Sequence, residues 1–171
     1  NQDISNMSDW MPSEKSLIVL RLVCQHIGFN ESIRIIQAAY EKIPTGSSIL
    51  IIDTDDSNLS VSPKFEQFDY LLKVKQDNQL KRGGDRHIGG KLYNHLNANH
   101  IDKLTFEMLT VSSDKIGALN WIEIIGNTFK FEMPKHTESI TQSCLRDLHE
   151  AASKDGFFGV CFGYFFLINK A

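Results

Sequence analysis

An α/β fold, a parallel sheet covered by helices, is predicted for this chain from three observations. Two short, nearly uninterrupted apolar runs, Ser16-Leu-Ile-Val-Leu-Arg-Leu-Val-Cys-Gln-His26 and Ile49-Leu-Ile-Ile-Asp-Thr-Asp-Asp56, end abruptly in polar residues. An amphipathic helical stretch closed by Pro44-Thr45-Gly46 separates them. Strand-like and helix-like patterns then keep alternating to the end. A strand apolar on both faces has to be buried on both, which is the property of a parallel sheet sandwiched by helices. Ligands in such sheets sit beyond the carboxyl ends of the strands. Arg21, Gln25, His26, Asp53, Asp55 and Asp56 fall there.

Each element follows from local pattern. Residues 1–15 are polar and read as an irregular lead; 16–171 read as one domain. Leu17 to Val23 is a buried strand. Asn30 is placed to cap a helix whose apolar face is Ile33, Ile36, Tyr40 and Ile43. Pro44 and Gly46 stop it. Ile49 to Ile52 is a second buried strand, ending at the acidic cluster. Ser62-Pro63 opens a helix carrying Phe65, Phe68 and Leu72, which runs to about Leu80. Arg82-Gly-Gly-Asp85 breaks the pattern, and Ile88, Leu92 and Leu96 resume it. Leu104 to Val111 has strand composition. Ile116 to Phe131 has an ambiguous pattern, within which Asn120 to Phe131, around Trp121, fits either a mobile lid or a helix or loop packed on the sheet. Thr137 to Lys154 is a helix with Ile140, Cys144, Leu148 and Ala151 on one side, ended by Gly156. Phe158 to Ile168 is a final, central strand.

Composition narrows the function. Hydrophobic content of 42% and charged content of 23% suit a soluble globular domain. A formal net charge of −3 argues against a nucleic-acid binder, whose footprint is basic. The longest apolar segment, Phe157 to Ile168, is interrupted by two glycines and is too short to span a bilayer. Cys24, Cys144 and Cys161 are odd in number and without CxxC spacing, so buried reduced thiols in a cytoplasmic protein are expected. The opening on Asn1, with neither initiator Met nor signal peptide, reads as an excised segment.

The run Leu17 to His26, the helix after it, Pro44-Thr-Gly46, Ile49 to Asp56, and Arg82-Gly-Gly-Asp-Arg-His-Ile-Gly89 together resemble the C-terminal half of a class I S-adenosylmethionine-dependent methyltransferase. The resemblance covers nearly the whole chain from Ser16 onward. That family has a seven-stranded sheet ordered 3-2-1-4-5-7-6, its last strand antiparallel. The resemblance therefore implies a three-layer α/β/α half of a Rossmann-like sheet, family strands 4-5-7-6. The family's Gly-rich loop after its first strand has no counterpart, nor has the acid that holds the ribose. Gly83-Gly84 and Gly89-Gly90 follow no buried strand and cannot replace the loop. Ser16 stands where the family commonly has Asp, and Pro44-Thr45-Gly46 replaces Pro-Gly-Gly.

By this resemblance the parent protein transfers a methyl group from S-adenosylmethionine, and this segment alone binds the cofactor weakly or not at all and is inactive. Leu20, Arg21, Leu22 and His26 would line the cofactor side. Asp53, Asp55, Asp56, Arg82 and Asp85 would line the acceptor side, the acceptor being a small molecule or a macromolecule. His26 and Asp53 are the catalytic candidates. Each has a plainer alternative: Arg21 in an ion pair with an acid such as Asp53, His26 bonding backbone, Asp55 or Asp56 capping a turn, Asp85 capping a helix. No histidine has metal-ligand spacing to the acidic cluster, and His87, His95 and His100 read as scattered surface residues. Gly83-Gly84-Asp85 also resembles the GGDEF signature of nucleotide cyclases, but Arg86-His87 follows in place of the second acid. The competing functional class is a non-catalytic methyltransferase-like module for association or regulation. Without the family's first three strands the Leu17–Val23 edge is uncovered, which predicts either a two-fold homodimer through it or residues 1–15 folding back over it.

Overall fold

A computed structural model describes residues 12–99 and 103–171. Most of the predicted N-terminal lead, residues 1–11, and His100 lie outside the described residues. The element order is β1 (Leu17–Arg21), α1 (Cys24–Ile27), α2 (Phe29–Lys42), β2 (Ser48–Ser62), α3 (Glu66–Lys81), α4 (Ile88–Ala98), β3 (Leu104–Ser112), α5 (Ser113–Ile116), α6 (Ala118–Glu132), α7 (Glu138–Ala152) and β4 (Phe158–Asn169). The strands form one sheet in the order β1-β2-β4-β3.

β1 and β2 are parallel, with Leu17 opposite Ser48 and Arg21 opposite Ile52. β4 runs against its neighbours. Its end meets the start of β2, where Lys170 N–H donates to Ser47 O at 2.9 Å, and the start of β3, where Asn169 N–H donates to Lys103 O at 3.2 Å. The chain is thus α/β with a mixed four-stranded sheet flanked by helices, its last strand antiparallel.

The described residues fall into two compact units. Unit 1 comprises residues through Asp55, Gly83–Leu109 and Gly163–Ala171; unit 2 comprises Asp56–Arg82 and Thr110–Phe162. In unit 1, Ile18 and Leu20 of β1, Ile49 and Ile51 of β2 and Tyr164, Phe166 and Ile168 of β4 pack with Ile33, Ile36 and Ala39 of α2 and Ile88, Leu92 and Leu96 of α4. Of the apolar face predicted for α2, Ile33, Ile36 and Ile43 are buried and Tyr40 is half-buried, and the spacing predicted for α4 is the buried one. In unit 2, Phe68 and Leu71 of α3, Trp121, Ile125 and Phe129 of α6, and Cys144 and Leu148 of α7 make a second core.

Several boundaries differ from the sequence pattern. β1 ends at Arg21 and is buried on one face only: Leu17 and Val19 are 55% and 48% exposed. As an outer strand it has helix packing on one side, whereas the pattern reads as two-sided. Asn30 lies inside the first turn of α2. Gly28, in the left-handed region at φ +78°, starts that helix instead, its carbonyl accepting from Ser32 N–H and Oγ at 3.0 and 2.7 Å. β2 continues to Ser62, so the acidic cluster lies within it and α3 begins only at Glu66. The strand tolerates the carboxylates because each finds local partners, described below. Residues 116–131 form no lid: α6 buries Trp121 completely. On α7 the buried stripe is Thr141, Cys144 and Leu148, with Ile140 turned outward.

Candidate functional site

The site is built where β1 leaves the sheet, within unit 1. Leu22 takes left-handed backbone at φ +53°, costly for a residue with a Cβ, while its N–H still donates to Ile52 O at 2.8 Å. This turn lifts the chain off the sheet, so that α1 begins beside β2.

Gln25 is the hub. Its backbone N–H donates to Asp53 Oδ2 at 3.1 Å, and its carbonyl accepts from Asp85 N–H at 2.8 Å. Its side-chain Oε1 accepts from Thr54 Oγ1 at 3.0 Å and from the buried Arg86 guanidinium. Asp53 also accepts from Thr54 N–H at 2.9 Å, and Tyr164 O–H donates to Thr54 O at 3.0 Å. Glycine keeps the parts close: a Cβ at Gly28 would run into the Gly83 carbonyl.

The acidic residues thus have three different surroundings. Asp53 is 1% exposed on β2. Asp55 accepts from Gly89 N–H at 3.0 Å, satisfying a donor in the first turn of α4 and complementing the positive end of its dipole. Asp56 belongs to unit 2, where it pairs with Lys75 Nζ at 3.1 Å, both side chains buried. They are therefore not a joint cation site, and among the described residues no cluster of histidine, cysteine and acid side chains is arranged to hold a metal.

Arg21 and His26 are exposed, and Leu22 is 40% exposed; Leu20 is in the core. Exposure removes the need for an Arg21–Asp53 pair, and Asp53 takes backbone N–H groups instead. Arg82 is exposed. Asp85 is half-buried, its Oδ1 accepting from His87 N–H at 2.9 Å just ahead of α4 and its Oδ2 meeting Lys91. The structure brings Asp53, Asp55 and Asp85 together with Gln25, Thr54, Arg86 and Tyr164, and leaves Arg82 and Asp56 out. Arg86, Thr54 and Tyr164 carry no sequence signal of their role. Gln25 had one, its place at the end of an apolar run.

Burial raises the Asp53 pKa, opposed by the N–H groups of Thr54, Gln25 and Cys24 and by His26. Burial likewise pushes the Cys24 thiol up to about 12, which removes it as a nucleophile. It also raises Tyr164, with Asp55 and Asp53 adding to the shift, so the phenol stays a donor.

These directions fix an expected pH dependence. A group whose folded pKa is raised contributes stability fully present below its unfolded value, 3.8 for Asp53, and lost as pH rises through the folded one. Urea denaturation of the wild type and Asp53→Asn from pH 3.5 to 7 should show the variant gaining on the wild type as pH rises. A pH-independent difference would refute the assignment.

The sheet, with parallel β1 and β2 and a reversed β4 between β2 and β3, matches a Rossmann-like methyltransferase fold. The chain is similar to a putative methyltransferase of Bacillus halodurans C-125 at 12% identity and TM-score 0.51, covering 97% of this chain and 68% of that one. It is also similar to Haemonchus contortus phosphoethanolamine N-methyltransferase 2, in a complex with phosphomonomethylethanolamine and S-adenosylhomocysteine, at 13% identity and TM-score 0.48. There the match covers 91% of this chain and 33% of that one, so the chain spans about a third of its length. No protein-family model and no curated protein matches the chain.

Proposed function

We propose that this chain supplies the acceptor-side half of an S-adenosylmethionine-dependent methyltransferase, family strands four to seven, within a longer cytoplasmic protein that carries the cofactor-gripping loops. The observation that supports this most is the sheet order β1-β2-β4-β3 with β4 reversed. The free thiols of Cys24, Cys144 and Cys161 support a reducing compartment. Among the described residues no helix is long and apolar enough to cross a membrane.

The chemistry in this chain is positioning. Exposed Arg21, Leu22 and His26 are the groups able to face a cofactor: a guanidinium for its carboxylate, an apolar side chain for its ring, an imidazole at the strand end. Leu20, in the core, backs them. The bound cofactor would supply an electrophilic methyl on a sulfonium. Asp53 anchors the Gln25 N–H and so fixes where α1 begins and where His26 is carried. In-line transfer depends mainly on such alignment. His26 takes a proton only if the acceptor carries one. Asp85 is the acceptor contact this reading favours, with Asp53 and Asp55 holding the framework behind it.

Calorimetric titration of S-adenosylhomocysteine tests the reading. The chain alone should give no saturable heat, and a longer chain with a Gly-rich loop ahead of β1 should bind, with Arg21→Ala weakening it about tenfold. Tight 1:1 binding by the 171-residue chain would mean that the cofactor site is complete here. Absence of binding by the longer chain would favour the association module.

That second reading has its own observation: among the described residues β1 is an outer strand that exposes Leu17 and Val19, with Arg21 as the charge on the strand. It predicts a two-fold dimer in which β1 meets its copy antiparallel. Sedimentation should give a dimer mass for the wild type and a monomer for Val19→Lys; a monomeric wild type at 0.1–1 mM (about the highest workable range) dismisses it.

A further inference from the structure

We infer that unit 2 carries a binding site for a small anionic amphiphile, a single acid group on an aliphatic or aromatic tail, between the end of α6 and the start of α7. This goes beyond the methyl-transfer reading and does not depend on it. A cavity of about 410 Å³ opens there, within the size range of small-molecule sites. Phe129, Met133, Pro134 and Leu145 make its apolar floor, and Lys130 and Lys135 stand on its rim. Both lysines are exposed, and among the described residues neither is in an ion pair. The acid on the same rim, Glu138, is engaged: its Oε1 accepts from Gln142 Nε2 at 3.3 Å. Two lysines against one glutamate leave the rim with a single net positive charge above an apolar floor.

The trough continues. A second cavity of about 280 Å³ shares Lys130 and Leu145 and reaches Gly126 and His149, with the acid Glu123 on its far side, so the positive charge is confined to the Lys130–Lys135 end. A Cβ at Gly126 would sit 3.2 Å from Leu145 Cδ2, so the bare glycine leaves Leu145 its room where the two cavities meet. An acid group between Lys130 and Lys135 with its tail over Leu145 satisfies both halves of the surface: charge-assisted bonds at the rim and apolar burial along the floor.

Decanoate, kept below its micellar concentration, is the probe. Titrated into the 171-residue chain and followed by calorimetry and amide chemical shifts, it should bind 1:1 and perturb residues 129–145. Decanol, with the same tail and no charge, should bind at least tenfold more weakly. Lys130→Glu/Lys135→Glu should lose at least tenfold in affinity with an unchanged circular dichroism spectrum. Lys73→Glu/Lys81→Glu, equal in charge change but on α3, should bind like the wild type. Unsaturable binding, equal affinity for decanol, or equal losses in the two double variants would each overturn the assignment.

Discussion

Gly89→Ala should destabilise the protein by about 3 kcal/mol, the upper part of the range for overpacked cores, and urea denaturation would measure it. Helix propensity alone predicts the opposite, since alanine is favoured over glycine inside a helix by about 1 kcal/mol. The structure sets the sign. Gly89 is the second residue of α4, and a Cβ there would overlap the edge of the Tyr164 ring at Cζ, 2.6 Å from the hydroxyl oxygen. That ring cannot step aside: Tyr164 is 3% exposed, packs in the unit 1 core and is tied through its hydroxyl to Thr54 O. Shifting α4 instead would pull Gly89 N–H from Asp55 and Asp85 N–H from Gln25, so the strain reaches the polar network. Gly89→Ala/Tyr164→Leu should cost clearly less than the sum of its parts, the signature of two side chains competing for one space. A stabilised Gly89→Ala would show that this contact is absent.

Lys75→Met should cost about 3–5 kcal/mol, because it strips the lysine from a buried carboxylate. The Lys75 and Asp56 side chains are 3% and 7% exposed and meet at 3.1 Å, with Glu132 3.9 Å from the same ammonium. Asp56 lies on β2 with its face toward the unit 2 core, and removing its cation leaves charge in a poorly solvated place. Lys75→Met/Asp56→Leu should recover at least half of the loss, since an apolar pair of similar volume carries no desolvation cost. Equal stability of Lys75→Met and the wild type, by the same urea measurement, would mean the pair contributes nothing.

The parts of the fold legible in the sequence are those governed by short-range periodicity. Ile33 and Ile36, Ile88, Leu92 and Leu96, and Cys144 and Leu148 recur at helical spacing and are buried at helical spacing. Ile49 and Ile51 alternate and are buried alternately. Where a boundary depended on pairing, local pattern misled. The acids at 53, 55 and 56 suggest the end of a strand, yet β2 runs on to Ser62, its carboxylates met by the N–H of Gln25, the first turn of α4 and Lys75. Those partners lie 19 to 34 residues away, beyond any window of periodicity. Ile116 to Phe131 lacks a decisive local pattern for the same reason: Trp121 sits on the bare face of Gly159, which fixes it as a core residue only once β4 is in place.

Apolar spacing and turn residues act locally, and they suffice for the class of the sheet and the order of its strands along the chain. Tertiary structure decided the roles. Gln25 became a hub, Arg86 a buried partner and the three neighbouring aspartates a backbone anchor, a helix cap and an ion-pair member. Burial and hydrogen-bond geometry are set by which distant segments meet, and a carboxylate has no fixed chemistry until they do.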